Sequence, residues 1–148
     1  MKNSLLALTL SIIFFSCSVE DYTEDDISLQ YTPQKWELMR ITGSFPNSET
    51  TGAAMEWQEY YIFNPDGTFL KSRTRDGKGL EATGTFQVME YDNDEADYLE
   101  LEYKNGKELI GSCNQGDTET LVYRSSHALS NTWNACDGPG LDYSLVLY

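Results

Sequence analysis

"EWQEYYIFNPDGTFLKSRTRDGKG", Glu56 to Gly79, decides the fold. Two runs rich in aromatic and branched residues flank Asn64-Pro65-Asp66-Gly67. Proline presets φ at the first central position of a tight turn, and Gly67 supplies a position that tolerates positive φ. The stretch therefore predicts a β-hairpin, with a further turn at "RDGKG". Side chains alternate across a strand. Phe69, Lys71, Arg73 and Arg75 thus share one face of the second arm, and Leu70, Ser72 and Thr74 share the other.

The same period extends in both directions. "KWELMRITGSF" before the hairpin predicts a strand ending at Gly43, and "PNSETTGAAM" (Pro46 to Met55) a long loop of small residues that serves as a lid or contact loop. "LEATGTFQVMEYDNDEADYLELEYKNGKELIGSC" predicts three strands, separated by "DNDEA" and by Asn105-Gly106, a strong two-residue hairpin signal. "ETLVYRSS", a weaker segment at "ALSNTWN" and the terminal "LDYSLVLY" follow, with "CDGPG" as the turn before the last. Eight or nine short strands with regular turns and no convincing amphipathic helix predict an all-β fold, a small antiparallel barrel. Consecutive hairpins favour an up-and-down order. The final strand has almost no polar face, as expected if it pairs on both sides and closes the barrel against the first.

The N-terminus has a different character. Met1-Lys2-Asn3 is a short basic start, Leu5 to Phe15 is almost wholly apolar, and Ser16 is a small residue before Cys17. The apolar run is shorter than the about 20 residues that span a bilayer, and its layout is that of an export signal. Phe14-Phe15-Ser16-Cys17 resembles the lipobox at which signal peptidase II cuts before a diacylglyceryl-cysteine. That resemblance implies a signal peptide at 1–16, lipidation at Cys17, and a membrane partner reached through acyl chains worth about 0.8 kcal/mol per buried methylene. Residues 17–33 read as an acidic flexible tether and residues 34–148 as the domain. The acidic run after the cysteine is either a charged spacer or, by resemblance to some Gram-negative lipoproteins, a signal for the cell surface. The expected location is the cell envelope, as an outer-membrane lipoprotein.

The chain has 24 acidic and 10 basic residues, for a net charge of −14. Such a body argues against nucleic acid, whose phosphates need a basic face. Apart from Cys17, the cysteines are Cys113 and Cys136, an even pair outside the reducing cytosol, and a disulfide between them is expected. A zinc site would need two more ligands, and His127 is the only histidine.

Candidate chemistry is sparse. His127 follows Ser125-Ser126 without a nucleophile motif around it. No carboxylate pair stands out for glycoside chemistry; Glu100 and Glu102 alternate with Leu99 and Leu101, as on a solvated face. "DNDEAD" (Asp92 to Asp97) carries oxygen ligands but lacks the glycine and glutamate spacing of a calcium loop. No metal, cofactor or catalytic residue is expected. The basic face of the strand from Phe69 has two possible placements. Outward, the commoner arrangement, it balances nearby acids; inward, Arg73 meets a ligand head group beside Trp57 and Tyr61, which makes these three the ligand-binding candidates.

The Trp-bearing first strand "KWELMRI", the long first loop, the "NPDGTF" turn and the "ACDGPG" turn together resemble the lipocalin-like domains of bacterial lipoproteins. Gln34 stands where lipocalins have a glycine. The resemblance implies an up-and-down barrel of eight or nine strands that binds a small apolar or amphipathic molecule, with Arg124 packed over Trp36. The alternative is a non-catalytic interaction or structural module of the envelope, its lumen filled by bulky side chains. Either way a monomer is expected.

Overall fold

The computed structural model describes residues 32–92, 94 and 96–146. Cys17, the export signal and nearly all of the tether lie outside the described residues. The strands are β1 (Gln34–Thr42), β2 (Thr50–Thr51), β3 (Gln58–Phe63), β4 (Thr68–Arg75), β5 (Lys78–Met89), β6 (Asp97–Asn105), β7 (Thr118–Ser125), β8 (Ala128–Asn131) and β9 (Gly140–Val146). All pairings are antiparallel. β1 and β3 to β9 form an up-and-down meander that closes through β1–β9, giving an eight-stranded barrel. β2 adds a two-residue strip beside β1, with Arg40 opposite Thr51.

Local chemistry explains the hairpin. Gly67 takes φ +78°, and its amide donates to Asn64 O at 3.0 Å. Asp66 Oδ1 accepts from the Thr68 hydroxyl at 2.6 Å and from its amide at 3.0 Å; these bonds, the hydroxyl's first, hold the Asp66 carboxyl below the usual carboxylate range. Closure follows the apolar last strand. β9 pairs with β8 and with β1, from Lys35 opposite Val146 to Thr42 opposite Gly140. A bulge at Met39, between Leu38 and Arg40, lets Ile41 point back into the core.

One expected strand is absent, and β2 brings the count to nine. Asn105-Gly106 does not make a hairpin. Gly106 adopts φ +64°, and a Cβ there would lie 2.5 Å from the Ala82 Cβ and from Glu81 O. The chain crosses β5 at that close approach and enters a 3-10 turn at Lys107–Leu109, whose Leu109 is buried. "KELIGSC" is therefore a plug at the barrel end rather than a strand, because burying Leu109 removes more apolar surface than an edge pairing there would. The Pro46–Met55 loop likewise contains β2 and a 3-10 turn, Gly52–Ala54.

In an up-and-down barrel the connections alternate between ends. The links 64–67, 90–96 and 126–127 lie at the end where β1 begins; the long ones, 43–57, 106–117 and 132–139, lie at the other, together with the two-residue turn 76–77. A disulfide between Cys113 and Cys136, with Cα atoms 5.6 Å apart, ties two of the long links together, as the even cysteine pair predicted. A cross-link over a loop of this length stabilises by roughly 3 kcal/mol on the chain-entropy account. The lumen is packed, with Trp36, Tyr61, Phe63, Phe69, Leu99 and Tyr143 almost wholly shielded from solvent.

Gly84 sits where β5 and β6 approach most closely: a Cβ would fall 1.9 Å from Glu102 O and 2.7 Å from the Phe69 ring. Gly84→Ala should cost at least about 2 kcal/mol in denaturant unfolding. Gly79→Ala, with nothing within 4 Å of the new methyl, should stay within about 0.5 kcal/mol of wild type.

Candidate functional site

The inward positions of β3 are Glu59, Tyr61 and Phe63, and those of β4 are Phe69, Lys71 and Arg73. The basic face of β4 thus points into the barrel as far as Arg73, and only Arg75 reaches solvent. Here the outward placement is overturned, yet its physical logic survives, because the cations do balance acids. The acids are inside. Glu59 on β3 and Glu119 on β7 are both fully enclosed, as is Lys71.

The Lys71 ammonium donates to Leu109 O at 2.8 Å and to both oxygens of Glu119, Oε2 at 3.0 Å and Oε1 at 3.2 Å, and it stands 3.4 Å from Glu59 Oε1 as an ion pair. Glu59 also accepts from Tyr143 OH at 2.6 Å and from Arg73 Nε; Glu119 accepts from Tyr103 OH. Two carboxylates and two cations give the lumen no net charge. That neutrality is required, since an unmatched charge in a buried interior costs several kcal/mol. Tyr61 lies beneath the ammonium, its ring centroid 4.9 Å from Nζ, and the Arg73 guanidinium stacks 4.7 Å from the centre of the Trp57 ring.

The electrostatics of the phenols follow from this packing. Burial first, and then the neighbouring carboxylates, push the Tyr61, Tyr103 and Tyr143 hydroxyls far above the usual phenol range. Desolvation by itself would lower Arg73, but the Glu59 carboxylate outweighs it and holds the guanidinium above its ordinary value.

The three ligand candidates are brought into one region. Trp57 immediately precedes β3, Tyr61 faces Lys71 across β3–β4, and Arg73 faces Glu59. Each carries a buried polar atom without a hydrogen-bond partner among the described residues: Trp57 Nε1, Tyr61 OH and Arg73 Nη2. Glu59 and Glu119 are not singled out by the sequence, and Lys71 only as a member of the basic face of its strand. The signal was present, because Glu59-Tyr61-Phe63, Phe69-Lys71-Arg73 and Glu119-Leu121 each place a charge on an apolar face. Which face is inner cannot be settled within one such strand.

Other candidates separate. His127 lies in the two-residue β7–β8 turn, its Nδ1 2.7 Å from Ser126 Oγ, and is not part of the lumen. Asp94 accepts from Tyr98 OH and from the Ala96 amide, and no group of three metal-type side chains occurs among the described residues. Arg124 does not cover Trp36. It sits on the outside and bonds Ser130 Oγ at 2.9 Å, because alternation along β7 turns Glu119, Leu121 and Tyr123 to the core and the residue after them to solvent. The neighbour of Trp36 is Tyr123, edge-on at 5.9 Å, and Trp36 Nε1 donates to Gln34 Oε1 at 3.2 Å. Outside the barrel, a polar trough of about 630 Å³ runs along the outer wall of β7, β8, β9 and β1 near the long links.

Compared with known proteins, the chain matches no family model, no curated protein and no solved structure.

Lys71→Met leaves two carboxylates short of a partner and should cost about 3–5 kcal/mol. Adding Glu119→Gln should recover part of that loss, with a coupling of at least about 1 kcal/mol in a double-mutant cycle read by urea unfolding. Alkaline titration provides a second check. The folded phenols stay protonated while unfolded ones ionise near pH 10, so stability should be undiminished by them below pH 10. Above it, stability should fall by about 1.4 kcal/mol per pH unit for each of the three, with tyrosinate absorbance rising in step with unfolding.

Proposed function

We propose that this chain is a non-catalytic, lipid-anchored module of the cell envelope, a lipocalin-like barrel whose core is filled and whose outer surface does the binding. One observation carries the reading: the lumen is occupied by the chain's own Lys71–Glu59–Glu119–Arg73 network and its aromatic neighbours. An apolar guest entering there would have to separate these ions without replacing their hydrogen bonds. Buried carboxylates engaged by a cation and a tyrosine, rather than opening on a cleft, also fit a role without catalysis. Cys17 supplies the anchor, and the acidic body keeps the monomer soluble and away from nucleic acid.

A second reading has its own support. Trp57 Nε1, Tyr61 OH and Arg73 Nη2 are buried without partners among the described residues, and a small amphipathic molecule with acceptor oxygens at the long-link end of the barrel would satisfy them.

Native mass spectrometry of the full chain extracted from membranes separates the two. The expected result is a mass increment of acyl groups on Cys17 and no further bound molecule, with Cys17→Ala moving the protein to the soluble fraction and abolishing acyl labelling. A co-purifying molecule lost on Arg73→Gln would favour the second reading. Unchanged membrane partitioning of Cys17→Ala would overturn the anchor.

A further inference from the structure

The trough on the outer wall has a floor built from four adjacent strands. Arg124 on β7 donates from Nε to Ser130 Oγ on β8 at 2.9 Å. Ser130 stands opposite Asp142 on β9. Asp142 Oδ2 accepts from Arg40 Nε on β1 at 2.8 Å, and Arg40 Nη1 lies 3.7 Å from Glu49 just before β2. Cation, hydroxyl, carboxylate, cation and carboxylate therefore alternate across the wall. Arg40, Asp142 and Glu49 each keep 39–57% of their side chain in solvent, so unused guanidinium donors and carboxylate acceptors face outward together.

The walls are stiff. Asn131 donates to Pro139 O and accepts from the Leu141 amide, both at 2.9 Å, which clamps the β8–β9 link to the barrel. The Cys113–Cys136 disulfide fixes the same link from the other side. Gly138 packs so closely on Trp133 that a Cβ would lie 2.4 Å from its ring. On the opposite wall, Gly43 and Ser44 line the trough, and the next residue, Phe45, is 73% exposed.

We propose that this trough binds a neutral oligosaccharide. The inference deepens the reading above, and rests on it, by naming the partner class of the outer surface. Each sugar hydroxyl both donates and accepts, so neighbouring hydroxyls match a floor on which donors and acceptors alternate. An apolar guest would bury the remaining donors of Arg40 and acceptors of Asp142, beyond the bond they share, without partners. A polyanion meets three carboxylates, Glu49, Asp137 and Asp142, against two arginines that are already bonded, in a chain of net charge −14. A folded protein needs a broad contact of about 800 Å² on each side, whereas a trough of about 630 Å³ is within the range of about 300–1,000 Å³ typical of small-ligand sites. Phe45, exposed beside the rim, offers a flat apolar surface for the C–H face of a sugar ring.

The test uses the full chain in detergent, titrated with maltohexaose, cellohexaose, mannohexaose and chitohexaose, and with heparin hexasaccharide as the charged comparator. At least one neutral hexasaccharide should bind saturably and shift the amides of Thr42–Ser44, Ser130, Asn134–Gly138 and Gly140–Asp142. That affinity should change little between low and high salt and fall about tenfold in Asp142→Asn and in Ser130→Ala, with thermal midpoints retained. Three outcomes would overturn the proposal: no binding of any neutral probe at millimolar concentration, preferential and salt-sensitive binding of heparin, or shifts centred on Trp57 and Arg73. A molecule found in the lumen by native mass spectrometry would instead defeat the filled-barrel reading and leave the trough result standing.

Discussion

A lysine ammonium held inside a closed sheet is the constraint around which this structure is arranged. Lys71 arrives in the lumen because β4 is pinned by its hairpin to β3 and alternates from Phe69. Once there, its charge must be met from other strands, and Glu59 and Glu119 come from β3 and β7, on opposite sides of the barrel. Such a network contributes little net stability compared with an apolar filling of the same volume. What it restricts is geometry. A slip of β3, β4 or β7 by one residue would turn a buried charge to solvent and strand its partner, so the ions favour a single register for three strands.

The same network recruits the long links. Lys71 bonds the carbonyl of Leu109, so the 3-10 turn after β6 is held from inside the barrel. Trp57, at the end of the first link, covers Arg73, and Glu119 Oε1 lies close to Gly111, where a Cβ would be 3.1 Å away. Two of the three long connections thus close over a charged interior, and the disulfide joins the third to the second. Loops anchored in this way are tied to the interior that they border.

Much of the architecture was legible in sequence. The hairpin at Asn64–Gly67 and the alternation of Leu99 and Leu101 with Glu100 and Glu102 depend on neighbours a few residues apart, and the apolar last strand announced its two partners. The errors have a common cause. Asn105-Gly106 carries a strong local turn signal, but Gly106 is required by Ala82 on another strand. The resemblance puts Arg124 over Trp36, but it falls on the outer face of β7, and the inward Tyr123 takes the place beside the tryptophan. The inward face of β4 was undecidable alone, because the acids that permit it lie 12 residues before and 48 after Lys71 in the chain. The trough escaped for the same reason: Arg40, Arg124, Ser130 and Asp142 become neighbours only when the barrel closes.

The two faces of the wall are coupled through single residues. Tyr143 points inward to Glu59 while Asp142, its neighbour, points outward to Arg40; Asn131 clamps the β8–β9 link while Ser130 receives Arg124. The Met39 bulge serves both, since it places Arg40 against Asp142 outside and returns Ile41 to the core. Order in the lumen is therefore order on the outer surface, and a filled barrel becomes an advantage for a surface that must hold its donors in fixed positions. The direction of β1 completes the arrangement. It begins at the end with short links and runs toward the end bearing the long links and the trough. A chain tethered through Cys17, as proposed, would enter the barrel at the end opposite the long links, which keeps the tether clear of the trough.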